Sequence, residues 1–292
     1  MKKTLLLFTF SFLVVSHTKT QALGEFLDAY FGDNAIPYIQ PLADVFTANV
    51  NTGTREWSRI GTNFYFRIRG TAIYSWPSEK SKTFNAVTAD HFEPQQTVEV
   101  PTIVGKNEAV SVAGVNETYY VFAPGYNVDL VPLGSPQITV GGFLHSELSV
   151  RFFTFPLNDD IGDILFWGIG GRHDVSHYIK NFPVHLSLGY FYHHMGVEEN
   201  VSTNHHLISA HAGKSGKWWS TELMIGYQKA DFTANYLFED GESIEEVHLE
   251  LSNENPFIIE LSAGAKFSIL GIHVSASYAE LLSASVGIGL YF

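Results

Sequence analysis

From Gly61 onward the chain alternates. Thr62, Phe64, Phe66, Ile68, Ala72, Tyr74 and Trp76 share one side, and Asn63, Tyr65, Arg67, Arg69, Thr71 and Ser75 share the other, the period of two that a strand imposes on its side chains. The pattern returns in segments further on. Leu148, Val150 and Phe152 oppose Glu147, Ser149 and Arg151, Leu186, Leu188 and Tyr190 oppose His185, Ser187 and Gly189, and Leu223, Ile225 and Tyr227 oppose Glu222 and Gln228. At Phe232 the apolar parity changes, so Lys229-Ala230 reads as a turn. Val247, Leu249 and Leu251 then oppose Glu246, His248 and Glu250, and Phe257, Ile259 and Leu261 oppose Glu260 and Ser262. The final stretch from Ser283 to Phe292 is the cleanest. Ala284, Val286, Ile288, Leu290 and Phe292 fall on one face, and Ser283, Ser285, Gly287, Gly289 and Tyr291 on the other. Such strands suit a wall with apolar residues outside and polar contents inside.

Before Gly61 the period is helical. Leu23, Phe26, Leu27, Tyr30 and Phe31 recur at spacings of three and four, and after Pro37 a second run groups Leu42, Val45 and Phe46, with Pro41 suited to a first helical turn. Neither run is long enough to stand alone in water. The segment from residue 23 to 55 is therefore expected to pack on the barrel as a plug in the lumen or an arm at its base, with Phe26, Tyr30 and Phe31 as plug residues. Ahead of it, Lys2 and Lys3, the apolar run from Leu5 to Val15 and the small residues ending at Ala22 read as a secretory signal peptide over residues 1–22.

The expected architecture is all-β: a transmembrane antiparallel barrel over residues 56–292, with a short N-terminal helical segment in or under the lumen. A soluble β-sandwich is the rival class. It would tolerate Lys, Arg and Glu freely on its polar faces, whereas here those faces are rich in Ser, Gly, His and Glu, and aromatic residues sit near strand ends as interfacial girdles require. With both termini placed in the periplasm the strand number must be even. The weakly patterned segment from Pro77 to Pro136 then supplies one strand or three, giving 12 or 14, and also the longest loop. Counting back from the C-terminus puts the turns at Gly171 to Pro183, Gly213 to Lys217, Glu239 to Ile244 and Leu270-Gly271 inside, and those at Gly196 to Thr203, Lys229-Ala230 and Ser252 to Pro256 outside.

Composition narrows the function. The chain has a formal charge of −13, and loss of residues 1–22 leaves 14 basic against 30 acidic residues, near −16. That balance opposes a nucleic-acid partner, which needs a basic surface to displace counterions. The absence of Cys excludes disulfides, thiolate metal sites and cysteine nucleophiles. No Ser/His/Asp set can be placed at the outer rim, so the chain does not read as an enzyme. No cofactor or bound metal is expected, and the expected partners are outer-membrane lipid, the barrel assembly machinery and a small, hydrophobic ligand.

The lumen supplies the candidate chemistry. Arg67, Arg69 and Arg151 are expected to face Glu147, Glu222, Glu246, Glu250 and Glu260, closing part of the interior by charge pairing. A hairpin around Gly196 to Thr203 would bring His193 and His205 together near Glu198 and Glu199, with His185 and His211 deeper down. Those imidazoles could bind zinc or titrate as a gate, or could be hydrogen-bonded filler, which is the commoner role. Arg172-His173-Asp174 with His177 reads as a self-capped turn.

Several segments carry a family likeness. PTIVG at Pro101, Pro124-Gly125, SPQITVGG around Pro136, HSELSVRFF and GIGGRHDVSHYI from Gly168 resemble an uncharacterised family of Bacteroidota outer-membrane barrel proteins. A more distant resemblance is to the long-chain fatty-acid transporter type of barrel, which holds an N-terminal hatch and passes hydrophobic molecules. The Asn-Pro-Ala signature of that hatch is replaced here by DNAIP at Asp33 to Pro37. The likeness implies passive passage or binding of a small, hydrophobic molecule, partly closed by the plug; the alternative is a non-conducting structural or partner-binding barrel.

Overall fold

The computed structural model describes residues 34–158, 162–197, 201–239 and 244–292. Phe26, Tyr30 and Phe31, residues 1–22, and Glu198 and Glu199 lie outside them.

Ten strand columns close into an antiparallel barrel. They are β1 (Tyr65–Trp76), β6 (Val131–Phe143), β7 (Ser146–Asn158), β8 (Gly162–Asp174), β9 (His185–Val197), β10 (Val201–Ser215), β11 (Trp219–Glu239), β12 (Ile244–Ser252) with β13 (Phe257–Phe267), β14 (Leu270–Tyr278) and β15 (Leu282–Tyr291). Each pairs with its sequence neighbour, and β1 closes the ring by pairing with β15, Arg67 opposite Tyr291 through Trp76 opposite Leu282. Trp76, Leu282 and Tyr278 thus mark one end, and Tyr65, Tyr291 and the turn between β13 and β14 the other. The first end is called outward and the second the base.

The count of ten corrects the expected 12 or 14, for two reasons. First, residues 77–130 add no wall strand. They form an outward cap of two hairpins, β2 (Thr83–Val87) with β3 (Thr97–Pro101) and β4 (Val110–Ala113) with β5 (Tyr119–Phe122). Second, β11 runs unbroken through Lys229 and Ala230; its lower half pairs with β13 and its upper half with β12, which together make one column. Glu239 and Ile244, which pair with each other, therefore stand at the outward end, not the base, and Ser252 to Pro256 is a break within a wall column. There Asn253 Oδ1 accepts from Ala230 N at 2.6 Å and Gln228 N donates to Pro256 O at 2.6 Å.

The burial pattern distinguishes barrel from sandwich. In β14 and β15 Ile272, Val274, Val286, Ile288 and Leu290 are exposed, while His273, Ser275, Ser277, Ser283 and Ser285 are buried. Apolar side chains outside and polar ones inside invert a water-soluble fold and match a lipid-facing wall. Aromatic pairs sit toward both ends of this belt, Phe64 with Phe143 and Phe66 with Phe292 at the base, Tyr227 with Phe257 above.

Higher up the parity turns over. The outer face of β11 passes from Leu223, Ile225 and Tyr227 to Lys229 and Asp231, which pair at 3.1 Å. The inner face passes from Glu222 and Gln228 to Phe232 and Ala234, opposite Leu251 and Leu249 of β12. The apolar switch at Phe232 is thus a change in what the lumen contains, not a turn. Glu250 accordingly stands outside with a largely exposed side chain instead of facing the lumen arginines, and the side chain of Glu246 lies outside the described residues.

Helix α1 (Ala35–Asn51) occupies the lumen, about 25 Å long at 1.5 Å per residue. It begins before Pro37 and continues through Pro41, so Pro41 lies in its interior and not in a first turn. Its outward end is fixed to the cap: Asn34 bonds Val87, Ile103 N donates to Tyr38 O, and Tyr38 packs with Ala86, Val100 and Phe122. Asn34, the first described residue, therefore lies at the opposite end from Phe292. Val45 and Ala48 pack on the inward-facing Phe191, Leu207, Met224 and Ile258. No described helix is long and apolar enough to cross a membrane.

Placing an arginine at Ile288, in the exposed apolar stripe, should cost about 2–4 kcal/mol if that position meets hydrocarbon. Unfolding titrations in lipid vesicles check this; a loss below about 0.5 kcal/mol would contradict the lipid-facing assignment.

Candidate functional site

Beyond α1 the chain turns at Gly53, whose φ of +63° and close approach to Ser285 exclude a side chain without strain. It then descends the lumen through Ser58. Wall strands meet it with the inward half of their alternation, and the central contacts are ionic and reciprocal.

Arg55 of the segment reaches the wall. Its Nη1 donates to Glu222 Oε1 at 2.8 Å and lies 3.0 Å from His211 Nδ1, and its Nη2 pairs with Glu260. The wall reaches back through arginines that bind main-chain carbonyls. Arg69 donates to Gly53 O and Arg55 O, both at 2.7 Å. Arg151 donates to Gly53 O at 2.6 Å, Val50 O at 2.9 Å and Gln137 Oε1 at 2.9 Å. Arg172 donates to Trp57 O at 2.7 Å and pairs with Glu147 and Glu222 at 2.6 and 3.0 Å. Glu260 also accepts from Gly53 N at 3.0 Å.

Five arginines, 55, 67, 69, 151 and 172, and four glutamates, 56, 147, 222 and 260, are all buried in this layer. Their charges nearly cancel, and main-chain carbonyls accept from Arg69, Arg151 and Arg172, while Arg55 Nε, Arg67 Nη1 and Arg69 Nε are left without a hydrogen-bond partner. This matters because an unpaired buried charge costs several kcal/mol. The lumen is thereby filled along the length of the segment, an apolar layer around α1 above and an ionic layer around Arg55 below.

The expected lumen residues Arg67, Arg69, Arg151, Glu147, Glu222 and Glu260 all lie in this layer. Arg55, Glu56 and Arg172 were missed. Arg172 belongs to the wall and not to a turn: β8 extends to Asp174, and the inward parity of Phe166, Gly168 and Gly170 continues to Arg172. Nothing in the local pattern marks Arg55, since an extended lumen segment has no period of its own.

His193 and His205 are direct partners across β9 and β10, and both point inward. His193 stacks between Phe166 and Phe191, and His205 Nε2 lies 3.0 Å from Thr203 Oγ1 with its ring edge-on to Phe232. His211 sits lower in the ionic layer with Nε2 at 2.8 Å from Ser209 Oγ, and His185 lies opposite Gly213 near the base. Among the described residues no group of three or more His, Asp or Glu side chains could hold a metal ion. His173 and His177 do not share a helical face: His173 Nδ1 meets Ser146 Oγ at 2.8 Å, and His177 stacks on His145.

Between α1 and the wall at the outward end is a cavity of about 110 Å³, bounded by Leu42, Phe46, Met195, Phe232 and Leu251 and the cap residue Ile103. A larger cavity of about 630 Å³ opens at the base around Trp57, Arg67 and Tyr291.

Topology, burial and the filled lumen together define a closed antiparallel barrel of the outer-membrane type. The chain belongs to the family of unknown function DUF6588, which it matches over residues 1–292. Among solved structures it is similar to a loop-deletion variant of OmpT, an outer membrane protein of Vibrio cholerae, at 13% identity, covering 79% of this chain and 98% of that one with a TM-score of 0.28. The Ralstonia pickettii toluene transporter TbuX is similar at 8% identity, with 80% and 90% covered and a TM-score of 0.22. A Rhodopseudomonas blastica porin triple mutant follows at 10% identity, 79% and 99% covered, and a TM-score of 0.17. These overlaps are loose, and the class rests on the strand topology itself. No curated protein matches the chain.

Two outcomes follow from this layer. Arg55→Met removes one partner from each of Glu222 and Glu260 and should cost about 3–5 kcal/mol in unfolding free energy; a loss under 1 kcal/mol would mean that the segment is not held by its charge. Asp44 on α1 is the second case: it accepts from Glu254 N at 2.7 Å, and burial raises its pKa to about 6. The folded state therefore holds its proton more tightly than the unfolded state. Asp44's contribution to stability is greatest below about pH 4 and declines as pH rises toward 6. The difference in unfolding free energy between Asp44→Asn and the native chain should grow in the variant's favour over that window and level off above it. A flat difference would contradict the burial of Asp44.

Proposed function

We propose that this protein is a sealed outer-membrane barrel that binds a small apolar molecule at its outward mouth and does not conduct while residues 52–58 stay in place. The observation that carries the reading is the cavity between Leu42 and Phe46 of α1 and Met195, Phe232 and Leu251 of the wall, apolar throughout and seated above a lumen closed by the Arg55 layer. A cavity of comparable apolar lining and about 150 Å³ in another protein takes up benzene. Here about 110 Å³ suits a single small ring or the end of a short alkyl chain. Binding, not passage, fits the number of buried hydrogen bonds that would have to break for the lumen to open.

A partner-binding role is the second reading, favoured by the cap. Its β4–β5 hairpin exposes Tyr119 and Val121, 69% and 58% accessible, at the outward end. Exposed apolar residues at a tip suit contact with another macromolecule.

Two measurements separate these readings. Planar-bilayer recordings of the refolded protein should be silent, and reproducible conductance steps would contradict the seal. A fluorobenzene titration followed by fluorine resonance should saturate in the native protein and fail in Leu42→Trp, which fills the cavity. Saturation unchanged by that substitution, or none in the native protein, removes the ligand reading and leaves the cap as the functional surface.

A further inference from the structure

We infer that the base of the barrel holds a second, separate site, for a small organic anion carrying a ring. The cavity of about 630 Å³ there is bordered by Trp57, Arg59, Tyr65, Arg67, Lys217 and Lys266. Four cationic and no acidic side chains line it, in a chain whose formal charge is −13. A cleft of one sign with low-dielectric walls focuses field and concentrates the opposite charge. None of Arg59, Lys217 and Lys266 takes part in an ion pair among the described residues.

Arg67 is the second, independent observation. It is 7% exposed, and its Nη1 is buried without a hydrogen-bond partner. The carboxylates behind it, Glu56 and Glu147, stand at 3.8 and 3.7 Å, beyond hydrogen-bond reach, because Glu147 is engaged by Arg172 and by Tyr65 Oη at 2.6 Å. A buried guanidinium held short of its carboxylates is incompletely satisfied, and a side-chain shift toward the cavity that Arg67 lines would let a ligand oxygen accept from it. Carboxylate and phosphate oxygens are the groups whose geometry matches that fork.

The ring preference comes from the walls. Arg67 lies over Tyr65 at 4.2 Å and near Tyr291 at 5.4 Å, and Lys266 Nζ stands 5.9 Å from the Trp57 ring centre. Trp57 and Tyr291 meet edge to face at 6.2 Å and form an aromatic corner beside the cations. A planar body can stack there while its anionic group reaches Arg67 and the lysines. Phe292 brings its ring and, as the last residue of this chain, one carboxylate that accepts from Phe66 N at 3.2 Å, a single anionic group against the four cations.

The site is tested on the full refolded chain in detergent by calorimetric titration with phenyl phosphate, inorganic phosphate and benzyl alcohol. Phenyl phosphate should bind saturably at one site, at least tenfold tighter than inorganic phosphate, and benzyl alcohol should give no signal. Lys217→Gln and Lys266→Gln should each weaken binding about three- to tenfold, and Arg67→Gln by more than tenfold. Heat-modifiable gel mobility reports folding; if Arg67→Gln fails to fold, the two more accessible lysines carry the test. Absence of saturable phenyl phosphate binding, or affinity unchanged in both lysine variants, overturns the site. Equal affinity for the two phosphates overturns the ring requirement.

Discussion

The structure depends on a reciprocal grip between wall and contents. One arginine of the lumen segment, Arg55, reaches two wall glutamates, while three wall arginines, Arg69, Arg151 and Arg172, close on the segment's carbonyl oxygens. Neither side is satisfied without the other. The wall arginines of a barrel lacking residues 52–58 would lose main-chain acceptors, and the segment outside the barrel would leave Arg55 and Glu56 without their wall partners. Buried charge of this kind is weak evidence for stability in general. Here it specifies where the segment lies, because wall arginines close on particular carbonyls, Gly53 O taking both Arg69 and Arg151.

From that grip the two halves of the lumen follow. Below Gly53 the interior is ionic, and the outer wall is apolar as lipid requires. Above it α1 brings Val45, Ala48 and Val50 against Phe191, Leu207, Met224 and Phe166, and the outer wall of β11 turns polar. The upper part therefore resembles a water-soluble protein, with a cap sealing its end. The chain passes from that cap down through the lumen to the base before the first wall strand begins. Two cavities remain at opposite ends of the filled interior, one apolar and one cationic, and the packed lumen segment stands between them.

Much of the wall was legible in the sequence. The last strands alternate without exception, so His273, Ser275, Ser283 and Ser285 group on one face by period, and reading the other face as lipid-facing turns them inward. Arg67, Arg69, Arg151, Glu147, Glu222 and Glu260 followed from the same parity. The misreadings share a cause: period two reports which faces differ, not which face is inside. At Phe232 the lumen changes from polar to apolar and the pattern inverts, which looks like a turn; at Glu250 the polar face belongs to water outside. Residues 77–130 were weakly patterned because their short hairpins make a cap, with no lipid on either side. Arg55 and Glu56 were invisible because an extended lumen segment surrounded by protein has no face to alternate. The aromatic residues expected to form the plug, Phe26, Tyr30 and Phe31, lie outside the described residues.

The most direct measurement of the central claim is hydrogen–deuterium exchange of the amides of residues 53–58, with the protein in lipid nanodiscs at neutral pH. Gly53 N donates to Glu260 and Ser58 N to Ser220 Oγ within a buried layer. If the segment is an integral part of the barrel, these amides should exchange as slowly as those of β1 and β15 and lose protection together with them. Exchange within seconds, while the wall stays protected, would show a segment that leaves the lumen on its own and would contradict the sealed barrel.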